Sequence, residues 1–169
     1  MTTTLRVIDS ISRWVGHAVK WFAVALVCLG TYEVVMRYVF NSPTRWGYET
    51  LFMLGAALYA LSWAYVHLEH GHIRLDVFYG RLSARAKAII DVACTTLFFF
   101  PLIGALIYMS GLKMWHAWKI GEISIEGTWY PPLGPIRTVV FIGLCLFALQ
   151  GIAQYIRDLH VLLRHRTYD

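Results

Sequence analysis

Three charged side chains stand where the chain leaves one apolar run and begins the next. Glu33 and Arg37 are four residues apart, which places them on one face of a helix. Arg37 and Glu49 each lie six residues from Pro43, so antiparallel helices on either side of that proline would hold them at similar depth. A carboxylate in such surroundings can carry a proton or an ion, or it can pair with the arginine.

The cost of burying charge separates these two uses. An ionised side chain at the centre of a membrane helix costs on the order of 3 kcal/mol, so such groups normally face protein or a cavity and pair with one another. Because Arg37 is a countercharge at matched depth, we expect an ionic cluster of Glu33, Arg37 and Glu49. It would fix the first hairpin or dock it to a partner. Ion translocation by Glu33 and simple snorkelling of Arg37 are the alternatives.

The seven histidines raise the question of a haem or metal site. A bis-histidine haem needs two imidazoles that face each other within the bilayer. Only His17, His67 and His160, at the same ends of their apolar runs, could converge. The His-x-x-His-x-His run at residues 67–72 has no cysteine or carboxylate pair in a zinc-ligand pattern. We expect neither cofactor nor metal, with haem as the alternative.

Residue types that perform covalent catalysis are not arranged for it. No Ser-His-Asp order, pair of catalytic carboxylates or glycine-rich phosphate loop stands out in the sequence. Cys28, Cys94 and Cys145 are scattered among the apolar runs without metal spacing, and they are typical of small buried residues. The residues outside the apolar runs are too few to build a substrate pocket. We therefore expect no enzymatic activity.

The apolar runs that must position these residues have membrane-spanning length. The 169 residues are 58% hydrophobic and 15% charged, whereas soluble domains carry about a quarter charged residues. A helix needs roughly 20 apolar residues to cross a hydrocarbon core of about 30 Å. The sequence therefore predicts an all-α, single-domain bundle of four transmembrane helices, at residues 19–40, 46–66, 89–108 and 133–156.

Basic residues follow the two sides of the membrane. Ten of the 15 lysines and arginines fall in the N-terminal tail, the second loop and the C-terminal tail, and the other five fall on the opposite side. Cytoplasmic segments carry such an excess, so both termini are expected in the cytoplasm. The net charge of +5 reflects this topology and does not indicate a nucleic-acid partner.

Three connecting segments are expected at the membrane surfaces. Residues 1–18 form an amphipathic lead-in, and the loop at residues 67–87 lies on the inner surface with basic side chains toward lipid phosphates. The outer segment at residues 113–132 carries aromatic rings suited to the interface and a short alternating stretch, EISIEG. The side chains expected at the lipid interface are Arg74, Arg81, Arg85, Trp115, Trp118, Trp129 and Arg137.

Prolines and small residues predict how the helices break and pack. Pro43, after Asn-Ser, ends the first span, and Pro101 predicts a local kink in the third. In the second span, Ala56, Ala60 and Ala64 form a stripe of small residues, through which helices in lipid pack closely. That stripe fits packing within the bundle and packing against a partner equally well.

A series of short motifs runs through the chain in a fixed order, from about residue 15 to residue 160. The first two are Arg37-Tyr-Val-Phe-Asn41-Ser-Pro43, followed by Trp46 and Glu49, and then Gly71-His72-Ile-Arg-Leu-Asp76. The last are Ser124, Trp129-Tyr130-Pro131 and Pro135-Ile-Arg137, leading to Gly143 and Gln150. Together with the four spans, this series resembles the small membrane subunit of tripartite ATP-independent periplasmic (TRAP) transporters.

The resemblance implies a division of labour. In such a transporter a soluble periplasmic protein captures an organic acid, and a large membrane subunit moves it with sodium. The small subunit is a fixed scaffold in the bacterial inner membrane, and the substrate and sodium sites belong to the large subunit. The residues that match the family motif by position are implied to be assembly residues: Arg37, Trp46, Glu49, His72 and Asp76.

The sequence therefore predicts a non-catalytic small permease subunit whose partners are the large membrane subunit, the periplasmic solute-binding protein and membrane lipids. The residues expected at the subunit interface are Glu33, Arg37, Trp46, Glu49, Ala56, Ala60, Ala64, His72 and Asp76. One alternative is an autonomous four-span proton-coupled exporter with Glu33 as carrier. The other is a haem-bearing membrane anchor of a respiratory enzyme.

Overall fold

The structure, a computed structural model, describes residues 2–69 and 84–164. These residues form α1 (Thr2–Tyr38), α2 (Gly47–Leu68), α3 (Ala84–Cys94), α4 (Phe100–Ile120) and α5 (Gly134–Arg164). A π-helical turn at Thr95–Phe99 joins α3 to α4. The result is four helical rods, each long and apolar enough to cross a membrane. The predicted all-α class with four spanning helices is confirmed.

The helices extend beyond the apolar runs that predicted them. α1 contains 37 residues, which is about 55 Å at 1.5 Å per residue. It includes the predicted lead-in, so that segment is the first part of a continuous helix. The third rod continues to Ile120, which places Trp115 and Trp118 on α4. The connection before α5 is therefore shorter than the predicted outer segment and begins at Gly121.

Helix α5 is the centre of the bundle. It contacts all four other helices, most extensively α2, which in turn lies against α1. α1 and the α3–α4 rod therefore flank an inner pair formed by α2 and α5. Consistent with this order, the spanning part of α5 is the most buried of the four and that of the α3–α4 rod the least.

Small residues allow α2 and α5 to approach closely. A Cβ added at Gly143 of α5 would lie only 2.5 Å from the carbonyl oxygen of Ala60 on α2. Ala60 and Ala64 are both buried, and Ala56 is half-buried. Of the two interpretations left open for the alanine stripe, packing within the bundle therefore describes Ala60 and Ala64. Because their own chain covers them, these two residues cannot contact a partner, and their predicted place at the subunit interface is corrected.

The irregularity predicted at Pro101 takes the form of the π-helical turn. The amide of Phe100 donates to the carbonyl of Thr95, five residues earlier, just before the proline. Proline donates no hydrogen bond and crowds the preceding turn of a helix, and a widened turn accommodates both effects. The turn also places the ring of Phe99 against Gly151 of α5, within an aromatic cluster with His67 and Phe147.

Candidate functional site

Glu33 is held by two partners in the turn between α1 and α2. Its side chain is 7% exposed and lies 3.0 Å from Nη2 of Arg37, through Oε1. The hydroxyl of Thr44 donates a hydrogen bond to the other carboxylate oxygen, Oε2. Both oxygens are therefore engaged, as a carboxylate in an apolar helix requires. The predicted pair of Glu33 and Arg37 is present, and we call Glu33, Arg37, Thr44 and Gly47 the hairpin cluster.

Thr44 also begins α2. The backbone N–H of Gly47 donates to the Thr44 hydroxyl at 3.0 Å, which satisfies one of the free amides at the helix start. Glycine at residue 47 allows this arrangement, because a Cβ there would lie 2.5 Å from Oε2 of Glu33 and would displace the carboxylate. One hydroxyl thus joins the end of α1 to the beginning of α2. The turn itself follows Asn41, whose φ of 49° is left-handed.

Glu49 does not belong to this cluster, and the prediction of a three-residue group is wrong on this point. Its residue is only 3% exposed, yet neither carboxylate oxygen has a hydrogen-bond partner among the described residues. Glu49 is two residues beyond Gly47 on α2, and it packs instead toward the α4–α5 connection. A Cβ at Gly127 in that connection would lie 2.8 Å from Oε1 of Glu49. Matched depth alone did not specify which neighbour each carboxylate faces.

Glu49 lines a cavity of about 480 Å³, which we call the outer pocket after the predicted topology. Its charged lining residues are three glutamates and one arginine. One glutamate oxygen besides those of Glu49, Oε2 of Glu122, is buried without a partner among the described residues. The full lining comprises Glu49, Phe52, Met53, Glu122, Ile123, Ser124, Ile125, Glu126, Leu133, Ile136 and Arg137.

Arg137 holds the wall of the outer pocket together. Its Nη2 lies 2.6 Å from Oε1 of Glu122, and its Nη1 donates to the carbonyl of Lys113 at 3.1 Å. Glu122 reaches this position because Gly121, with a φ of 62°, ends α4 in a left-handed conformation. Arg137 was predicted to face lipid. It ties α5 to the end of α4, with about a quarter of its side chain exposed, and its position at the lipid interface stays a prediction.

The α4–α5 connection folds back on itself. Ile123 and Pro132 form an isolated antiparallel bridge. The amide of Ser124 donates to the carbonyl of Pro131, and that of Leu133 donates to the carbonyl of Glu122, both at 2.8 Å. The short extended piece predicted from EISIEG is therefore present at Ile123, and it places Ser124 and Glu126 on the pocket.

The tryptophans near this end of the bundle have different surroundings. Trp46 precedes α2 and stacks on Tyr32 of α1, with ring centroids 6.2 Å apart. Trp118 donates from Nε1 to the hydroxyl of Thr138 on α5 at 2.9 Å. Trp115 and Trp129 are exposed. The exposed rings fit the predicted position at a membrane interface, which no contact within the chain tests.

A second polar group, which sequence reasoning missed, joins the first and last helices at the opposite end. Asp9 lies 2.5 Å from Nη2 of Arg157 and accepts a hydrogen bond from Nε2 of Gln150 at 3.1 Å. Ser12 donates to Oε1 of Gln150 at 2.9 Å. Gln150 is fully buried, with 0% of its surface exposed. We call Asp9, Ser12, Gln150 and Arg157 the inner clamp.

A signal for the inner clamp was available in the sequence. Gln150 is a polar residue in the middle of an apolar run, and such residues in membrane helices face other helices. Asp9 and Ser12 are three residues apart on the polar side of the predicted lead-in. Treating that segment as a surface element separated it from α5. The clamp shows that it packs on the bundle.

Comparison with protein families gives one result. A family model described as the DctQ component of tripartite ATP-independent periplasmic transporters matches residues 26–161. The chain belongs to this family. The match includes the hairpin cluster, the outer pocket and most of α5, and it agrees with the resemblance expected from the motifs. A comparison with curated proteins found no match.

As a DctQ-family protein, the chain is a component of a transporter and a multi-pass membrane protein. Of the positions implied to be assembly residues, Arg37 lies in the last turn of α1, Trp46 directly before α2 and Glu49 in the first turn of α2. Four other predicted site residues, His72, Arg74, Asp76 and Arg81, lie outside the described residues. Arg85 lies in the first turn of α3. Their predicted roles stay predictions.

Two histidines of this DctQ-family chain that could be considered as haem or metal ligands contact aromatic side chains. His67 stacks on Phe99, with centroids 5.8 Å apart, and meets Phe147 edge-on. His17 lies edge-on to Tyr65, and its Nδ1 is 2.7 Å from the carbonyl of Arg13. Within residues 2–69 and 84–164, no group of three His, Cys, Asp or Glu residues is placed to hold a metal ion. His17 and His67 have structural contacts in the bundle.

Proposed function

We infer that the chain is the non-catalytic small permease subunit of a TRAP transporter that imports an organic acid with sodium. It acts as the membrane scaffold for the large transport subunit in the bacterial inner membrane, and a periplasmic binding protein delivers the acid. The family match over residues 26–161 is the observation that carries this proposal. The structure adds three supporting features.

The first feature is the fixed state of the charged groups. Carriers commonly use broken helices around a site near the middle of the membrane. Here Glu33 is engaged on both oxygens by Arg37 and Thr44, next to a helix end. A carboxylate bound in this way is suited to fixing a hairpin and poorly suited to exchanging protons. This favours a scaffold over an autonomous exporter.

The second feature is the negative charge of the side chains that line the outer pocket. Three glutamates and one arginine line it, and the arginine is already paired with Glu122. A carboxylate substrate entering this cavity would meet uncompensated like charge, which is repulsive at short distance. The pocket is therefore unsuited to an organic acid. This agrees with placing the substrate site in another subunit.

The third feature is the apolar surface of the flanking helices. On α1, Trp21, Val24 and Val27 expose more than half of their surface. On the α3–α4 rod, Leu97, Phe98 and Leu102 are exposed to a similar extent. Surfaces of this kind require lipid or another membrane protein as neighbour. A scaffold that holds a larger subunit in the bilayer would present such apolar faces on both sides of its helix bundle.

Reconstitution into liposomes tests the proposal. The chain alone, the large subunit alone and the two together are each supplied with a binding protein loaded with an organic acid, under an inward sodium gradient. We expect uptake only where both membrane subunits are present. Proton or solute flux by the chain alone would contradict the proposal and favour the exporter. A Soret absorption band in the purified chain would favour the haem anchor.

Arg37 provides a prediction about assembly. Its side chain is 52% exposed while it holds Glu33, so a partner subunit can contact it. We expect Arg37→Gln to reduce co-purification of the large subunit, with Arg45→Gln, at an exposed arginine of the same turn, as the matched control. Equal recovery from both variants and from the unmodified chain would contradict a role for Arg37 in assembly.

A further inference from the structure

The proposed function does not explain why Glu49 is buried. Its residue is 3% exposed, and both carboxylate oxygens lack partners among the described residues. A buried charged group without a partner is costly, and native proteins normally pair it. Glu33, in the same hairpin, has two partners. The contrast indicates that the counterpart of Glu49 is contributed from outside the described residues.

The chemistry of the outer pocket defines that counterpart as a cation. Among its lining residues, Glu49, Glu122 and Glu126 face one arginine, Arg137, whose guanidinium is committed to Glu122. Glu126 is exposed to solvent, so Glu49 is the buried carboxylate left without a countercharge within the pocket. Oε2 of Glu122 is a further buried acceptor without a partner among the described residues. Glu49 and Glu122 thus contribute buried carboxylate oxygens without partners among the described residues to the lining of one cavity.

The size and walls of the pocket favour an organic cation over a bare metal ion. Its volume of about 480 Å³ is in the range of cavities that hold whole ligands. No metal-holding group of three His, Cys, Asp or Glu residues occurs within residues 2–69 and 84–164. Apolar side chains, including Phe52, Leu133 and Ile136, form much of the lining. Arginine and lysine match this combination, because an apolar stem carries a charged head.

The rim of the pocket indicates where the cation comes from. Phe52 on α2 is 61% exposed, and Ile125 in the α4–α5 connection is 82% exposed. Once a partner covers them, uncovered apolar side chains around a buried charge exclude water from it, as the contacts that surround interface hot spots do. Phe52 lies on a helix able to span the membrane, so the covering surface is expected to be apolar too. An apolar covering surface is expected of a membrane subunit.

We propose that the outer pocket receives an arginine or lysine side chain of the large membrane subunit, which pairs with Glu49. This rests on the proposed function, since it assigns a docking point to the same partner. Gly127 is part of the device. A Cβ there would lie 2.8 Å from Oε1 of Glu49, so a side chain at residue 127 would displace the carboxylate from the pocket wall.

Site-specific photo-cross-linking in the assembled complex tests this proposal. A benzoylphenylalanine replaces Ile125 at the pocket rim, and a control probe replaces Ile120, which is exposed at the end of α4 but does not line the pocket. We expect a cross-link from residue 125 to the large subunit, mapped by mass spectrometry beside an arginine or lysine. The probe at residue 120 should not give that product.

Charge variants connect the cross-link to Glu49. Glu49→Gln preserves the shape of the side chain, and we expect it to reduce the yield of the mapped product by about tenfold, because a basic group would be buried unpaired. Glu126→Gln is the matched control, since Glu126 lies in the same pocket but is exposed. An exposed charge contributes little, and the yield should stay within about twofold.

A second substitution checks that the effect is electrostatic. Replacing the mapped basic residue of the large subunit with glutamine should also weaken assembly. Combining it with Glu49→Gln should restore assembly toward the original level, because no charge is then left unpaired. Strictly additive losses would contradict a direct pair.

Other occupants give different results. A lipid adduct at residue 125, such as phosphatidylethanolamine, or an adduct with the binding protein alone would overturn the proposal. So would a carboxylic-acid infrared band in the assembled complex that disappears in Glu49→Gln. Co-purification is measured on the same samples. Recovery of the complex without a residue-125 product overturns this inference alone, whereas failure of the unmodified subunits to co-purify overturns the proposed function.

Discussion

Two buried glutamates in the same hairpin differ in whether their carboxylate oxygens have partners among the described residues. Glu33 and Glu49 are both buried, but Glu33 is engaged by Arg37 and Thr44 and Glu49 faces the outer pocket. Residue type and spacing predicted that both would be buried and that Arg37 would pair. They did not indicate the role of Thr44, because a single threonine in a turn has many possible acceptors.

Thr44 provides the sharpest test at the residue scale. Thr44→Val keeps the shape of the side chain but removes the hydroxyl that donates to Glu33 and accepts from Gly47. We expect a loss of about 1–3 kcal/mol in the free energy of unfolding, because a buried carboxylate oxygen loses its donor. The measurement is thermal unfolding of the purified chain in detergent.

Thr31→Val is the matched control for this substitution. The Thr31 hydroxyl bonds only to the carbonyl of Val27 in its own helix, at an exposed position. Its replacement should change the free energy of unfolding by no more than about 0.5 kcal/mol. Equal melting temperatures for the two variants would show that Thr44 does not stabilise the hairpin.

At the scale of helices, the contact between α2 and α5 depends on one glycine. The spacing of Ala56, Ala60 and Ala64 indicated a close-packing face, but periodicity on one helix cannot identify the opposing helix. The structure identifies α5, through Gly143 against the carbonyl of Ala60. The contacts of the inner clamp, which join residues far apart in the sequence, could not be predicted for the same reason. Neither side of the clamp by itself indicates which residue it contacts.

Gly143→Ala tests this packing. The added methyl group would meet the backbone of Ala60 at 2.5 Å, so the helices must separate. We expect a destabilisation of about 1–3 kcal/mol, as for other overpacked sites. Gly104→Ala on α4 is the control, because no atom lies within 4 Å of its added Cβ.

The control should change in the opposite direction. Alanine in a helix interior is favoured over glycine by about 0.5–1 kcal/mol, so Gly104→Ala should raise the melting temperature slightly while Gly143→Ala lowers it. Both are measured by thermal unfolding in the same detergent. A stabilising effect of Gly143→Ala would show that α2 and α5 are less closely packed than described here.

For the whole molecule, the number of spanning helices followed directly from the sequence. Runs of about 20 apolar residues leave few alternatives in a bilayer, since every backbone polar group must be bonded within the helix. The order of helices around α5 did not follow, because apolar surfaces in lipid lack a hydrophobic preference for one another. That order depends on specific contacts such as Ala60–Gly143 and Asp9–Arg157.

Cysteine labelling tests the predicted orientation of the molecule. In a chain without Cys28, Cys94 and Cys145, single cysteines replace Ser10 and Ile125, both exposed. The excess of basic residues near the termini predicts a cytoplasmic N-terminus. When the chain is expressed without the large subunit, a membrane-impermeant maleimide should therefore label residue 125 in intact cells and residue 10 only after the membrane is opened. The reverse pattern would show that the positive-inside prediction is wrong.

The inner clamp has a consequence for how the protein is made. Asp9 and Arg157 are 148 positions apart, so Asp9 leaves the ribosome well before Arg157 is made. The first helix must enter the membrane long before its last neighbour exists. Its tilt, which neighbouring helices set, is therefore fixed only after α5 has been inserted, and until then Asp9 lacks the arginine with which it pairs.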